Sequence, residues 1–170
     1  TEVLKEIPTN TILCKTLTGL GATYGEIKAK RHSIIIEPNK PVIVGKYNDS
    51  KHKDDNLFPV HEGIYSDDIV NYIENTFEYN SKHTGKNSNK YIKILTTPES
   101  FPKVKSAFEE VDYDIRFNCF LLYDECHKLV KDADYRNSIS LPMDFFFEFQ
   151  YKAMVSATPI EINDPRFEEQ

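Results

Sequence analysis

The segment best suited to chemistry is the acidic motif Asp124-Glu125-Cys126-His127, which directly follows the apolar run 120–123. An aspartate at the carboxyl end of a buried strand can hold Mg²⁺, directly or through water, and a neighbouring glutamate can orient an attacking water. Short acidic strings also occur at solvated strand ends, so this motif alone is a weak signal. It predicts a Mg²⁺-nucleotide site in which Asp124 binds the metal and Glu125 orients the water.

Two further motifs follow strand-like runs elsewhere in the chain. Ser156-Ala157-Thr158 comes after the run 151–155, and a glycine-rich turn over residues 18–23 comes after the run 11–14. The backbone amides of such a turn can cradle phosphate, and its hydroxyl can bind Mg²⁺. Thr23 is therefore a second candidate ligand for Mg²⁺. The candidate nucleotide-binding residues are Gly19, Leu20, Gly21, Ala22 and Thr23.

The glycine-rich turn departs from a phosphate loop at one position. A phosphate loop has a lysine that reaches the β- and γ-phosphates, and this chain has Ala22 there. Loss of a fixed positive charge from a desolvated phosphate site costs several kcal/mol, on the order of 2–5. Either hydrolysis is impaired or another cation takes over. Lys15 is the nearest candidate, with a solvent-facing strand end as its alternative interpretation, and Lys28 is a poorer one.

Alternating apolar and polar stretches predict the elements that position these motifs. Strands are predicted over residues 11–14, 33–37, 91–96, 117–123 and 151–155, and helices over residues 23–30 and 66–79. Loops are predicted over residues 46–56 and 80–90. Ser66 is the predicted N-cap of the second helix. The prolines at 38 and 41 are expected to stop the second strand, and Pro98 to open a turn or short helix.

Strands separated by helical or crossover lengths favour an α/β fold with a mainly parallel central sheet and helices on both faces. In such a sheet, ligands bind beyond the carboxyl ends of the strands, which is where all three motifs fall. The length of 170 residues suits one domain with a full core.

The amino-acid composition limits the classes of function that this chain can have. With 21 Lys+Arg against 27 Asp+Glu, the net charge of −6 argues against a strongly basic nucleic-acid module, although a local cationic face is compatible with it. The three cysteines have no paired framework, which indicates a reducing, intracellular and cytoplasmic setting. No apolar run approaches the ~20 residues that span a bilayer, so no membrane association is expected.

Together these motifs resemble the first RecA-like domain of superfamily 2 helicases and translocases, the DEAD/DEAH-type ATPases, over nearly the whole chain. The matching segments are residues 16–23 for motif I, 34–40 for motif Ia, 96–99 for motif Ib, 124–127 for motif II and 156–158 for motif III. The resemblance implies a P-loop ATPase domain that uses Mg²⁺ and ATP, with Asp124 and Glu125 as catalytic residues.

The same resemblance implies roles in coupling and in nucleic-acid binding. The residues that would couple the nucleotide state to the binding of nucleic acid are His127, Ser156 and Thr158. The family contacts the nucleic-acid backbone after motifs Ia and Ib, and the weak candidates for those contacts are Lys40, Thr97 and Ser100. DNA or RNA is therefore an expected partner.

Two functions stay open from the sequence. A complete motor of this family needs a second RecA-like lobe, and too few residues follow Thr158 for another sheet, so residues 1–170 are expected to be the amino-terminal ATPase lobe of a helicase or translocase. The alternative is a pseudo-ATPase that keeps the fold as a binding or assembly module, which Ala22 and the acidic net charge favour.

Two other interpretations are weaker. Cys126 and His127 lack the second ligand pair that a zinc site needs, and the same cysteine is a poor candidate nucleophile. The aromatic run 145–149 could stack on bases, but aromatic clusters beside a strand are more often part of the core.

Overall fold

The fold is built on one six-stranded parallel sheet. The computed structural model describes residues 7–14, 21–85, 89–126 and 144–156. The strands are β1 (Thr11–Cys14), β2 (Ser33–Ile36), β3 (Leu57–Val60), β4 (Lys93–Thr96), β5 (Phe120–Tyr123) and β6 (Tyr151–Ser156). Their order across the sheet is β1-β6-β5-β2-β4-β3, and every neighbouring pair is parallel.

Helices cover both faces of this sheet. They are α1 (Ala22–Lys28), α2 (Lys40–Tyr47), α3 (Ser66–Lys82), α4 (Phe101–Glu110) and the short α5 (Ile115–Asn118). Because successive side chains of a strand point to opposite faces, the strands contribute side chains to two separate hydrophobic cores. The α/β class with a parallel sheet and helices on both faces is thereby confirmed, and it is consistent with a RecA-like fold.

Each core is formed by a different pair of helices. The first cluster joins α3 and α4 to the sheet and includes Ile34, Ile36, Ile69, Ile73, Val104, Phe108, Leu121 and Met154. The second joins α1 and α2 to the other face and includes Ala22, Ile27, Ile35, Ile43, Leu95, Leu122 and Val155. The aromatic run 145–149 packs in or against the first cluster, so its interpretation as core is confirmed.

Most predicted elements are confirmed, with shifted ends. Helix α3 begins at Ser66, so the prediction of Ser66 as N-cap is wrong by one residue. The N-cap is Tyr65, whose N–H donates to Asp68 Oδ2 at 3.0 Å. The predicted strand over 117–123 begins at Phe120, after α5. The strand at 11–14 is not fully buried, because Ile12 is 44% exposed.

Helices α2 and α5 and strand β3 were not predicted, whereas α4 begins at Phe101, just after the turn or short helix predicted from Pro98. Three of these four elements contain a proline. Pro41 and Pro102 lie in the first turns of α2 and α4, where a missing N–H costs nothing. Pro59 lies in β3, at one end of the strand order, where proline is tolerated. The predicted loop over 46–56 is wrong in part, since α2 runs to Tyr47 and a 3₁₀ turn spans Ser50–His52. The polar loop predicted from residue 80 starts after Lys82.

A buried ionic network lies at the start of β2. Lys93 Nζ donates to the Glu26 carbonyl at 2.8 Å and to Ser33 Oγ at 3.0 Å. The Glu26 carboxylate accepts from Ser33 Oγ at 2.5 Å and from Arg31 Nε at 2.9 Å. Burial lowers the pKa of Lys93 to about 8, although the negative charge of Glu26 opposes the shift. The network holds α1 against the amino ends of β2 and β4.

The lowered pKa of Lys93 predicts a stability that rises with pH. The folded pKa lies below the unfolded value of 10.5, so the unfolded chain binds more protons between about pH 8 and 10.5. Between pH 7.5 and 9.5, the free energy of unfolding of the wild type should gain about 2 kcal/mol relative to Lys93→Met. Urea denaturation of both proteins at the two pH values measures this gain. A constant difference between them would contradict the shift.

Candidate functional site

The register of the sheet brings two acidic residues side by side. Ile36 pairs with Tyr123, so the residues that follow these strand ends, Glu37 and Asp124, are neighbours at the carboxyl edge. The Asp124 N–H donates to the Ile36 carbonyl at 2.9 Å, which continues the ladder by one residue. Both side chains are buried. The carboxyl edge of the sheet therefore carries two adjacent carboxylates in a desolvated position.

Thr23 meets Asp124 in this position. Its Oγ1 donates to Asp124 Oδ2 at 2.9 Å, and both residues are buried. The geometry depends on Gly21, which caps α1 with φ 66°, a left-handed conformation that favours glycine. The structure thus brings together two sequence-predicted residues that are 101 positions apart.

The other predicted nucleotide-binding residues divide between described and undescribed segments. Ala22 is buried and belongs to the second core cluster, on the first turn of α1. Gly19 and Leu20 lie outside the described residues, as does Lys15, which was a candidate for the missing cation. The contribution of those three positions stays a prediction.

Glu125 lies on the turn that follows β5. Its backbone N–H donates to Asp124 Oδ1 at 3.0 Å, and its φ of 55° is left-handed, so the chain turns sharply directly after Asp124. The residue is half-buried. Asp124 is thus held on one oxygen by the following backbone and on the other by Thr23.

A lysine that the sequence did not single out completes the cluster. Lys46, in the last turn of α2, donates from Nζ to Glu37 Oε1 at 2.5 Å and to Asp124 Oδ2 at 3.0 Å. Its side chain is 28% exposed, whereas Glu37 is fully buried. One ammonium group therefore lies between the two carboxylates and shares an oxygen with the Thr23 hydroxyl.

The cluster perturbs the pKa of its members. Burial raises the pKa of Glu37 to about 8, the negative charge of Asp124 adds to the shift, and Lys46 opposes it only in part. Burial disfavours the ammonium of Lys46, but the carboxylates of Glu37 and Asp124 outweigh that effect and raise its pKa. Glu37 Oε2 has no hydrogen-bond partner in the described part of the chain. Carboxyl groups with such perturbed surroundings, paired with an ammonium group at the carboxyl edge of the sheet, indicate a candidate functional site.

Ser156 and Cys126 pack behind the acidic turn. Both are buried, and their side chains form a hydrogen bond. Burial raises the pKa of the Cys126 thiol to about 12, so it stays protonated near neutral pH, which argues against a thiolate nucleophile. His127 and Thr158, the other candidate coupling residues, lie outside the described residues.

The candidate nucleic-acid contacts differ in exposure. Lys40, the first residue of α2, is exposed. Thr97 and Ser100 are buried, and the Ser100 N–H donates to Thr97 Oγ1 at 3.3 Å at the start of α4. Their side chains support the turn before that helix, and Lys40 alone of the three presents its side chain to solvent.

Glu37 and Lys46 are the site residues that sequence reasoning missed. Glu37 was assigned to a strand end, and the parallel pairing of that strand with the one before Asp124 could have indicated its position. Lys46 was assigned to a loop because the prolines before it concealed α2. Lys28, considered as a substitute cation, is held elsewhere by Asp55 Oδ2 and the Lys51 carbonyl, both at 2.7 Å.

Comparison with known proteins assigns no family. The sequence matches no protein-family model and no curated protein. Among the described residues, no helix has the length and apolar character needed to cross a membrane. The same residues contain no cluster of three or more His, Cys, Asp or Glu arranged to hold a metal ion. Functional inference therefore depends on the cluster around Asp124.

Proposed function

We propose that this chain is the ATP-binding lobe of a nucleic-acid helicase or translocase of the superfamily 2 type. The observation that carries the proposal is the 2.9 Å hydrogen bond between Thr23 Oγ1 and Asp124 Oδ2. It joins the hydroxyl of the glycine-rich turn to the first carboxylate of the acidic motif. In P-loop ATPases these are the two protein groups that hold Mg²⁺ beside the phosphates.

The donor set fits Mg²⁺. This ion takes oxygen ligands and is usually bound by one or two carboxylates together with substrate phosphates and water. Thr23 and Asp124 would hold it, directly or through water, with the buried carboxyl group of Glu37 beside them. Mg²⁺, when bound, neutralises charge on the phosphates. Glu125, on the turn after Asp124, would orient the attacking water.

The proposal includes partners for this lobe. A second RecA-like lobe, in the same or another chain, would close the nucleotide site, and DNA or RNA would bind near Lys40. His127, Ser156 and Thr158 would couple the two sites. A reducing, cytoplasmic location is supported by the free, buried Cys119 and Cys126.

A pseudo-ATPase that serves as a binding or assembly module is the second candidate. It is favoured by Ala22, a buried residue at the position where a phosphate loop has its lysine. It is also favoured by the ion pair of Lys46 with Asp124, since an ammonium group at a metal carboxylate can replace the metal in a purely structural site. The two candidates differ in whether the chain binds Mg²⁺-ATP.

Thr23→Val tests the proposed site with little change of shape. We expect the affinity for ATP in the presence of Mg²⁺ to fall by about tenfold, because the substitution removes one hydrogen-bonding group that becomes a metal ligand. Titration calorimetry with ATP, with and without Mg²⁺, measures this loss. Thr76→Val is the matched control, since Thr76 is an equally buried threonine on α3, on the opposite face of the sheet.

The outcomes separate the two candidates. Mg²⁺-dependent binding that weakens in Thr23→Val and not in Thr76→Val supports the ATPase lobe. Absence of binding by the wild type, with binding gained in Ala22→Lys, supports the pseudo-ATPase. Binding by the wild type that neither Mg²⁺ nor Thr23→Val changes would overturn the proposed site.

A further inference from the structure

We propose that Lys46 is the phosphate-binding cation of this site and performs the role of the lysine that Ala22 does not supply. The inference rests on the proposed function, because it names a residue that recognises the phosphates of the same nucleotide. It concerns a lysine from α2, on the helix that follows the second strand, and not from the glycine-rich turn.

Lys46 lies next to the residues that would bind Mg²⁺ and the phosphates. Lys46 Nζ lies 3.0 Å from Asp124 Oδ2, and Thr23 Oγ1 lies 2.9 Å from the same oxygen. Both donors are therefore at hydrogen-bonding distance from one carboxylate oxygen. A phosphate bound next to Thr23 would lie within reach of the ammonium group after a rotation of the lysine side chain. A four-carbon stem with free rotation suits such a movement.

Lys46 is held in place by a buried carboxylate and by the helix that carries it. The Glu37 carboxylate is fully buried and accepts a hydrogen bond from Lys46 Nζ at 2.5 Å. The backbone N–H of Glu37 donates to the Thr96 carbonyl at 2.8 Å, which fixes this residue to the sheet. Helix α2 starts at a fixed point, because Asn39 Oδ1 accepts from the Val42 N–H at 3.1 Å. Both the helix and the carboxylate thus direct Lys46 to the carboxyl edge of the sheet, and this arrangement is unlike that of a surface lysine.

Lys46 also balances the negative charge of the site. Asp124 is buried beside Glu37, and its negative charge would repel the phosphates of a nucleotide. Lys46 offsets part of that charge and is 28% exposed, so an incoming phosphate can contact it. Because the removal of one partner from a desolvated charge pair is costly, loss of this ammonium group should weaken nucleotide binding by about tenfold or more.

Three other described cations are engaged elsewhere. Lys28 binds Asp55 and the Lys51 carbonyl. Lys93 and Arg31 bind Glu26 at the amino end of β2, which is the opposite end of the strand from Glu37. Of these four cations, Lys46 is the one whose ammonium group contacts Asp124.

Calorimetric titration with Mg²⁺-ATP tests the inference in four proteins. These are the wild type, Lys46→Met, Lys46→Arg and the control Lys28→Met. We expect Lys46→Met to weaken binding by about tenfold or more, Lys46→Arg to stay within a few-fold of the wild type, and the control to match it. Repeating the titrations at several salt concentrations adds a second readout. The affinity of Lys46→Met should depend less on salt, because one charge contact with the phosphates is lost.

Thermal unfolding identifies a variant that fails to fold. In that case Lys46→Gln, which keeps a donor for Glu37 without the charge, carries the same expectation. If Lys46→Met binds ATP as tightly as the wild type and with the same salt dependence, the inference is overturned while the proposed function stands. If the wild type binds no ATP, both are overturned.

Discussion

Replacing Glu26 by alanine is expected to lower the free energy of unfolding by about 3 kcal/mol. The Glu26 carboxylate is fully buried and accepts hydrogen bonds from Arg31 Nε at 2.9 Å and Ser33 Oγ at 2.5 Å. Without it, the buried ammonium of Lys93 loses the negative charge beside it. Breaking a buried ion pair typically costs 3–5 kcal/mol, and the lower end applies because the Arg31 side chain is 29% exposed and can turn to solvent.

Urea denaturation measures this loss, and two further proteins make the result specific. Glu74→Ala removes a glutamate from the exposed side of α3 and should change stability by less than about 0.5 kcal/mol. The double variant Glu26→Ala/Lys93→Met should be more stable than the sum of the single changes predicts, by about 1 kcal/mol or more, because the uncompensated lysine is gone. A Glu26→Ala protein within about 1 kcal/mol of the wild type would contradict the importance of the network.

The network at Glu26 and the cluster at Asp124 lie at opposite ends of the same strand. β2 begins at Ser33, which contacts Glu26 and Lys93, and it is followed by Glu37, which contacts Lys46. The first end is fully hydrogen-bonded and fixes α1 and β4 to the sheet. The second end places two buried carboxyl groups beside a lysine that is 28% exposed. This difference is the physical reason to assign stability to one end and ligand binding to the other.

The parallel sheet could be predicted because its strands are encoded locally. Runs such as Ser33–Ile36 and Phe120–Tyr123 are apolar at every position, or nearly so, as expected for strands buried on both faces. Helix α3 was predicted for a similar reason, since Ile69, Ile73 and Thr76 recur at helical spacing and are buried.

Helix α2 could not be predicted by the same reasoning, and α4 was predicted only as a turn or short helix, because proline has two opposite local effects. It ends strands and helix interiors, but it also favours the first turn of a helix. Pro41 and Pro102 lie in the first turn of a helix, and only the surrounding fold determines whether a proline ends one element or begins the next. The consequence for the site was direct, because the missed helix α2 carries Lys46.

The candidate site was predictable only in part for a related reason. Asp124 and Thr23 belong to recognisable motifs, and their contact at 2.9 Å agrees with the predicted convergence of those motifs. Glu37 and Lys46 belong to no motif of nucleotide binding. Their involvement depends on which strands are neighbours and on the direction of α2, and both are properties of the tertiary structure.

Replacing Asp124 by asparagine is expected to separate binding from stability. The affinity for ATP in the presence of Mg²⁺ should fall by about a hundredfold or more, because the carboxylate that would hold the ion is lost together with its contact to Lys46. The free energy of unfolding should stay within about 1 kcal/mol of the wild type or rise. An asparagine oxygen can still accept from Thr23 or from the Glu125 N–H, and the repulsion between Asp124 and Glu37 disappears.

Calorimetry with Mg²⁺-ATP and urea denaturation on the same preparations measure both quantities. Asp67→Asn is the matched control, since it removes one negative charge from an exposed position in the first turn of α3. It should leave the ATP affinity unchanged and lower the free energy of unfolding by no more than about 1 kcal/mol. Unchanged ATP affinity in Asp124→Asn would rule out Asp124 as the metal ligand. A strong loss of stability would show that the pair of carboxylates with Lys46 holds the fold together. The expected combination, weak binding by a well-folded protein, is typical of a residue whose burial is costly and whose function is to bind a ligand.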